Sequence, residues 1–252
     1  MQNLPRSLKI VKQVFVPKLE AFLFFDYDSI ELRLLAFYLS AAMGDDDMAS
    51  QYRSNPEYDP HTETAQMLFK KSVVTPEERQ VGKTLNFAIV YGGATPTIMN
   101  QLGVSYKEAK SLLDNFHAGR PGIKELSAGL QATLESRGYI KNLYGRRGHV
   151  EDGHKALNWL IQGCAADLLK ESLVKIDTFL DKYPWHVWKS HMVNCVHDEI
   201  IFDCVKSEIP ELVQVIPGLM TNPTIDEVVP IRAEPQVSYT NWADKEKYVI
   251  RD

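Results

Sequence analysis

The chain has 252 residues, 44% of them hydrophobic and 24% charged, with a formal net charge of -5. Such a length and balance exclude a disordered chain and leave room for one large domain or two intimately joined ones. The acidic balance also speaks against a protein that grips duplex DNA by a broadly basic surface, so any nucleic-acid function has to rest on local basic clusters.

In chain order, Ile10 to Val16 and Leu19 to Phe25 read as two short strands separated by Pro17-Lys18. The second runs into Asp26-Tyr27-Asp28 and a strongly periodic helix, Ile30 to Leu39. Asp45 to about Pro60 is polar and turn-rich and reads as a loop, and His61 to Arg137 reads as helical throughout. Within that block, Thr75-Pro76-Glu77-Glu78 is a capping box with proline at the first helical position, and Gly92-Gly93 marks the end of the helix it opens. Gly138 to Val150 reads as a hairpin with a basic turn at Tyr144-Gly145-Arg146-Arg147-Gly148, followed by a long helix from Lys155 to about Leu180. Met192 to Val205 reads as two strands around a tight turn at His197-Asp198-Glu199, and a last strand is expected near Ile231 to Val237. Strands at both ends with helices between them predict an α+β fold, an antiparallel sheet with flanking helices and a helical insertion.

Three places depart from ordinary patterning. Asp26 ends an apolar strand, where a carboxylate is unfavourable unless paired or bound to a cation; taken alone, it reads as a helix N-cap. Asp198 and Glu199 sit in a turn between apolar strands, an arrangement that is ordinarily only a polar turn. The capped helix carries Arg79, Lys83, Phe87 and Tyr91 at steps of four, opposite a core side of Val81, Leu85, Ala88 and Ile89. A solvated face accounts for the cations but not for two aromatic rings prolonging the same stripe. Cations followed by flat rings suit a triphosphate at one end and a base at the other, and two separated carboxylates suit a pair of magnesium ions.

The motifs resemble those of family A DNA polymerases. Asp26-Tyr27-Asp28-Ser29-Ile30-Glu31-Leu32-Arg33 is similar to motif A, Arg79-x-x-x-Lys83-x-x-Asn86-Phe87-x-x-x-Tyr91-Gly92 to motif B, and Val196-His197-Asp198-Glu199 to motif C. His61-Thr62-Glu63-Thr64-Ala65, Tyr144-Gly145-Arg146-Arg147, Gln162-Gly163-x-Ala165-Ala166-Asp167 and Asn241-Trp242 agree in order and spacing. The resemblance implies a template-directed DNA polymerase that adds dNTPs to a primer by two-metal-ion phosphoryl transfer, on magnesium with manganese as a substitute. It divides the chain into palm (1–35), fingers (36–150) and palm again (151–252).

Residue by residue, the resemblance implies that Asp26, Asp198 and the Tyr27 main-chain carbonyl hold the metals, with Glu199 supporting. Glu31 falls where a 2′-hydroxyl would lie and acts as a sugar gate, with Tyr91 behind it. Arg79, Lys83 and His61 hold the triphosphate, and Phe87 packs on sugar and base. Tyr91 and Gly92 border the template base, and Arg146, Asn158, Gln162 and His197 touch the primer–template. Departures from the pattern are Asp28 and Ser29 for Ser-Gln, Ala88 for glycine, Cys195 for glutamine, His154 for arginine, and Gly82 inside a helix at about 1 kcal/mol relative to alanine.

The resemblance begins just ahead of motif A, so a separate thumb, exonuclease or processivity subunit is expected as a partner, with low processivity for the chain alone. A single-subunit RNA polymerase relative or a non-catalytic DNA-binding subunit are the rival readings; Glu31 beside Tyr27, the Gln162-Gly163 pair and the retained Asp26 and Asp198 weigh against them. The three cysteines, Cys164, Cys195 and Cys204, show no Cys-x-x-Cys spacing, and no signal peptide or apolar span is evident, so a cytoplasmic protein without membrane attachment is expected.

Overall fold

The structure, a computed structural model, describes residues 9–182 and 187–249. Its contacts divide the chain into two compact units. Unit 1 comprises the chain up to Ile30, Ala166–Asp226 and the chain from Ile231; unit 2 comprises Glu31–Ala165 and Glu227–Pro230.

Unit 1 is organised on a five-stranded sheet in the order β4-β5-β1-β6-β7. The strands are β1 (Ala21–Tyr27), β4 (His191–Val196), β5 (Glu199–Cys204), β6 (Ala233–Ser238) and β7 (Glu246–Lys247), every neighbouring pair antiparallel. β1 is central and covered on both faces, which is why its Ala-Phe-Leu-Phe-Phe run is continuous and not alternating. Phe22 and Phe24 pack with Ile201 and Trp242 on one face. On the other, Phe25 meets Phe202 edge to face with centroids 5.7 Å apart. Each such ring contributes on the order of 1.5–3 kcal/mol by leaving water. Helix α10 (Ile209–Leu219) packs on β1 and β6. The α+β architecture, the β4–β5 hairpin and the long helix α9 (Ala156–Lys182) agree with the sequence reading.

Unit 2 is helical. It contains α3 (Asp47–Ser54), α4 (Pro60–Phe69), α5 (Pro76–Val90), α6 (Thr95–Leu102), α7 (Tyr106–Gly119) and α8 (Pro121–Arg137). The two-residue strands β2 (Ile140–Lys141) and β3 (Arg147–Gly148) form the expected basic hairpin. The box predicted at Thr75 is formed in full: the Thr75 hydroxyl accepts from the Glu78 amide, and the Glu78 carboxylate accepts from the Thr75 amide. α5 packs closely on α4. A Cβ at Gly82 would stand 2.3 Å from the His61 carbonyl oxygen and 3.0 Å from the Ala65 amide, so glycine is required where the two backbones meet.

Two expectations are corrected. Ile10 to Val16 is not a strand: Lys9–Gln13 forms a short helix, α1, and Ile10, Val14 and Val16 are 69%, 70% and 63% exposed. β-branched residues need a partner edge to become a strand, and both edges of β1 are already taken by β5 and β6. Within this segment Phe15 packs edge to face on Trp242 at 5.6 Å. The stretch from Asp45 to Pro60 is not all loop, since it contains α3. Met48, Ala49 and Tyr52 make one narrow buried stripe, too short to stand out among polar neighbours, and the Arg33 guanidinium lies 4.4 Å from the Tyr52 ring centroid.

Candidate active site

The acidic groups belong to unit 1. Strand β1 carries Asp26 opposite Glu199 on β5 and Glu234 on β6. Three acidic residues are thus paired across neighbouring strands, and like charges directly opposite one another are unfavourable. A lysine offsets each flanking acid: Lys245 pairs with Glu199, and Lys247 with Glu234 at 3.5 Å. The Lys245 pair is the better shielded of the two, with side chains 22% and 10% exposed against 70% and 52%.

Asp198 enters through the β4–β5 turn. His197 there takes a left-handed conformation at φ 57°, and the Tyr27 amide donates to the Asp198 carbonyl at 3.4 Å. The register of β1 against β5 therefore brings two distant sequence segments to one end of the sheet. Tyr27 is anchored below: its hydroxyl bonds the Ser172 hydroxyl at 2.8 Å, and Ser172 in turn donates to the Leu168 carbonyl at 2.9 Å. Burial pushes the Tyr27 phenol well above its ordinary value, so it stays a donor. The N-cap reading of Asp26 does not hold. α2 (Ile30–Tyr38) starts further on, after Ser29 at φ 51°, and Asp26 lies within β1.

Among the described residues no three His, Cys, Asp or Glu side chains gather as a ready-made metal cage. What this end of the sheet offers a divalent cation is the Asp26 and Asp198 carboxylates and main-chain oxygen, while Glu199 is engaged by Lys245. Sparse hard-oxygen sets of this kind fit magnesium, which fills its shell with water and substrate oxygens.

The cations and rings belong to unit 2. Along α5, Arg79 is exposed, Lys83 and Phe87 are half-buried, and Tyr91 is 42% exposed at the C-cap. Lys83 Nζ lies 5.9 Å from the Phe87 ring centroid, and the Phe87 and Tyr91 rings stack at 6.0 Å with planes 16° apart. The opposite side is core: Leu85, Ala88 and Ile89 are buried. Arg79 Nε donates to Asp59 Oδ2 at 2.5 Å. Asp59 also caps α4 through the His61 amide and accepts from the Thr62 hydroxyl. Burial draws the Asp59 carboxyl upward, but these hydrogen bonds, with the Arg79 charge, outweigh it and hold the group below the usual range. The His61 ring is buried 5.5 Å from Phe87, and the Tyr91 hydroxyl donates to Glu31 Oε1 at 3.3 Å. Arg79, Lys83, His61, Phe87, Tyr91 and Glu31 are thus linked through short contacts within one unit.

Of the remaining sequence candidates, Gly92 directly follows the stripe and the others lie further along the chain. Gly92 has φ 70°, and a Cβ there would stand 2.7 Å from the His154 carbonyl oxygen. Arg146 is exposed in the turn after Gly145, whose φ is 81°. Asn158 and Gln162 stand one turn apart on α9, Gln162 exposed and Asn158 half-buried, its Oδ1 lacking a partner among the described residues. His197 is exposed.

The family model for "DNA polymerase family A" matches residues 1–244. The chain belongs to that family. Among curated relatives in the family, DNA polymerase I of Bacillus caldotenax is 30% identical over 97% of this chain and 29% of its own length. DNA polymerase I of Streptococcus pneumoniae (serotype 4 strain) is 32% identical over 93% of this chain and 28% of its own. The chain therefore spans less than a third of the length of these family members. Among solved structures, the POL domain of Pol1 from M. smegmatis, in complex with DNA primer-template and dNTP, aligns over 96% of this chain and 44% of that one. The TM-score of 0.81 at 24% identity shows a shared fold.

Four residues that hold candidate groups within their own unit carry no role in the sequence reading: Asp59 and Asn86 in unit 2, Ser172 and Lys245 in unit 1. Two of them left a trace. Asp59 precedes a proline, the signature of a helix start, and Asn86 is a polar residue on the core side of α5. Ser172 and Lys245 gave none, because their importance depends on which partner the fold delivers.

Proposed function

We propose that this chain is the palm and fingers of a template-directed DNA polymerase, extending a primer with dNTPs. The proposed division is palm 1–35 and 151–252, fingers 36–150. The observation that carries the reading is the meeting of Asp26, Tyr27 and Asp198 at one end of the sheet in a chain of this family. Asp26, Asp198 and the Tyr27 carbonyl are the proposed metal holders. Magnesium held by these groups would supply Lewis-acid stabilisation of the charge that develops in phosphoryl transfer.

The chain's own residues do the rest. Arg79 and Lys83 neutralise the triphosphate, His61 donates to it, and Phe87 packs against sugar and base. Glu31, held by the Tyr91 hydroxyl, fills the space a 2′-hydroxyl would need. Tyr91 and Gly92 border the template base, and Arg146, Asn158, Gln162 and His197 hold the primer–template. The relatives' names and the complex of the structural neighbour with DNA primer-template and dNTP support this reading.

With a net charge of -5, the chain is proposed to hold DNA weakly. A separate thumb-like or duplex-binding polypeptide would then raise its processivity through effective concentration. The test is primer extension by the purified chain with and without magnesium, with dNTPs against rNTPs, in the presence of a trap of excess competitor DNA. Magnesium-dependent dNTP addition in short products is expected; no extension by the folded chain contradicts the reading, and long products from one encounter contradict the weak grip.

A further inference from the structure

Asn86 lies on the core side of α5 and is 1% exposed, a polar side chain where the helix otherwise buries Leu85, Ala88 and Ile89. A buried amide with unmet groups is costly, so its partners reveal its purpose. Its Oδ1 accepts from the Thr64 hydroxyl at 3.0 Å. Its Nδ2 donates to the Pro60 carbonyl at 3.1 Å, and the same nitrogen lies 3.1 Å from His61 Nδ1.

The orientation of this amide follows from the Pro60 carbonyl, which can only accept. Turning the amide over would set Oδ1 against that oxygen, so Nδ2 must face Pro60 and, with its second hydrogen, His61 Nδ1. An N–H donor opposite Nδ1 makes Nδ1 an acceptor. The imidazole proton then sits on Nε2, and a proton on Nδ1 would meet an N–H head-on. Thr64, Asn86 and His61 are 0%, 1% and 5% exposed, so water does not readily substitute for any of these partners.

We propose that Asn86 is a positioning residue that fixes His61 as the neutral tautomer with its proton on Nε2. His61 then serves the nucleotide triphosphate as an oriented hydrogen-bond donor, and positive charge is left to Arg79 and Lys83. The kinetic side of this inference rests on the polymerase reading; the tautomer does not. An amide held by a carbonyl on one side and a hydroxyl on the other sets an imidazole without needing a charged partner. A carboxylate in its place would accept from Nδ1–H and favour the opposite tautomer or the cation.

The test is ¹⁵N–¹H spectroscopy of histidine-labelled protein, with His61 assigned by loss of its signals in His61→Gln. The parent should show a protonated Nε2 and an acceptor Nδ1. Asn86→Asp should move a proton onto Nδ1. Thr64→Val removes one bond of the same buried network but leaves the Pro60 contact, and should leave the His61 signals in place. In steady-state extension, His61→Ala should raise KM for dNTP about three- to tenfold, the worth of one hydrogen bond, with kcat little changed, and Asn86→Asp should alter KM only through His61. The double variant should be no worse than His61→Ala alone.

A parent with Nδ1–H or an imidazolium overturns the proposal, as does a Thr64→Val spectrum shifted like that of Asn86→Asp, or additive effects of Asn86→Asp and His61→Ala. If Asn86→Asp does not fold, the parent and Thr64→Val spectra still decide. A parent with the expected spectrum but no extension would count against the polymerase reading and not against the tautomer.

Discussion

The two units place their candidate functional groups by different means. Unit 1 does so through the backbone: the register of β1 against β5 and the turn at His197 set where Asp26, Tyr27 and Asp198 stand. Unit 2 does so through side chains: Asp59 holds Arg79, Asn86 holds His61, and Tyr91 and Glu31 hold each other. Strand register admits no partial slip, because a one-residue shift turns every side chain to the other face. Side-chain tethers can be exchanged one at a time. Groups that must keep a fixed separation gain from the first device, and groups that must grip and release a ligand gain from the second.

The largest expected effects lie in unit 1. Asp26→Ala and Asp198→Ala should each lower incorporation more than about a thousandfold, because no other group replaces the lost donor. The strands are held by backbone pairing with their neighbours, so thermal unfolding should stay close to that of the parent. A large loss of stability would mean that the acidic row is structural and would break the contrast.

Next is the seam between α4 and α5. Gly82→Ala gains about 1 kcal/mol of helix propensity. It also drives a methyl group into the His61 carbonyl, and overpacking of this kind costs about 1–3 kcal/mol. Denaturant titration should show net destabilisation, and single-turnover kinetics should show weaker dNTP binding as His61 and Arg79 shift together. A more stable variant would mean that the two helices separate freely.

A smaller effect is expected at the sugar. Glu31→Ala frees Tyr91 and should improve rNTP use about tenfold while dNTP use changes less, a narrowing worth about 1.4 kcal/mol. Competition between dNTP and rNTP reads it directly, and unchanged discrimination would place the gate elsewhere.

The smallest effect concerns Asp59. Its folded pKa is depressed, so its contribution to stability is complete above the unfolded carboxylate range near about 3.9 and is lost as the pH falls through the folded value. The Arg79–Asp59 pair is 44% and 31% exposed, and solvent screening limits it to about 0.5 kcal/mol. Asn caps as well as Asp, so Asp59→Asn should barely change stability at pH 7 and should flatten its decline below about pH 4.

What could be read without the structure follows the same division. The apolar run of β1, the hairpin at Asp198 and the capping box at Thr75 are written in local order, and each forms as read. The stripe from Arg79 to Tyr91 follows from helical spacing alone. The exposed apolar residues from Ile10 to Val16 misled because a strand depends on a free edge elsewhere in the fold. Gly82 looked like a flaw in a helix and is a packing requirement, visible only when α4 lies against it. The pairing of Lys245 with Glu199 joins segments far apart in the chain, and no local pattern announces it.

The proposed function assigns chemistry to Asp26 and Asp198 and nucleotide binding to Arg79 and Lys83. Single-turnover addition of one dNTP, measured across dNTP concentration for the parent, Asp198→Asn and Lys83→Ala, tests it most directly. Asp198→Asn is expected to lose the maximal rate while dNTP affinity holds within a few-fold, and Lys83→Ala to lose chiefly affinity. Asp198→Asn turning over at the parental rate in magnesium would contradict it.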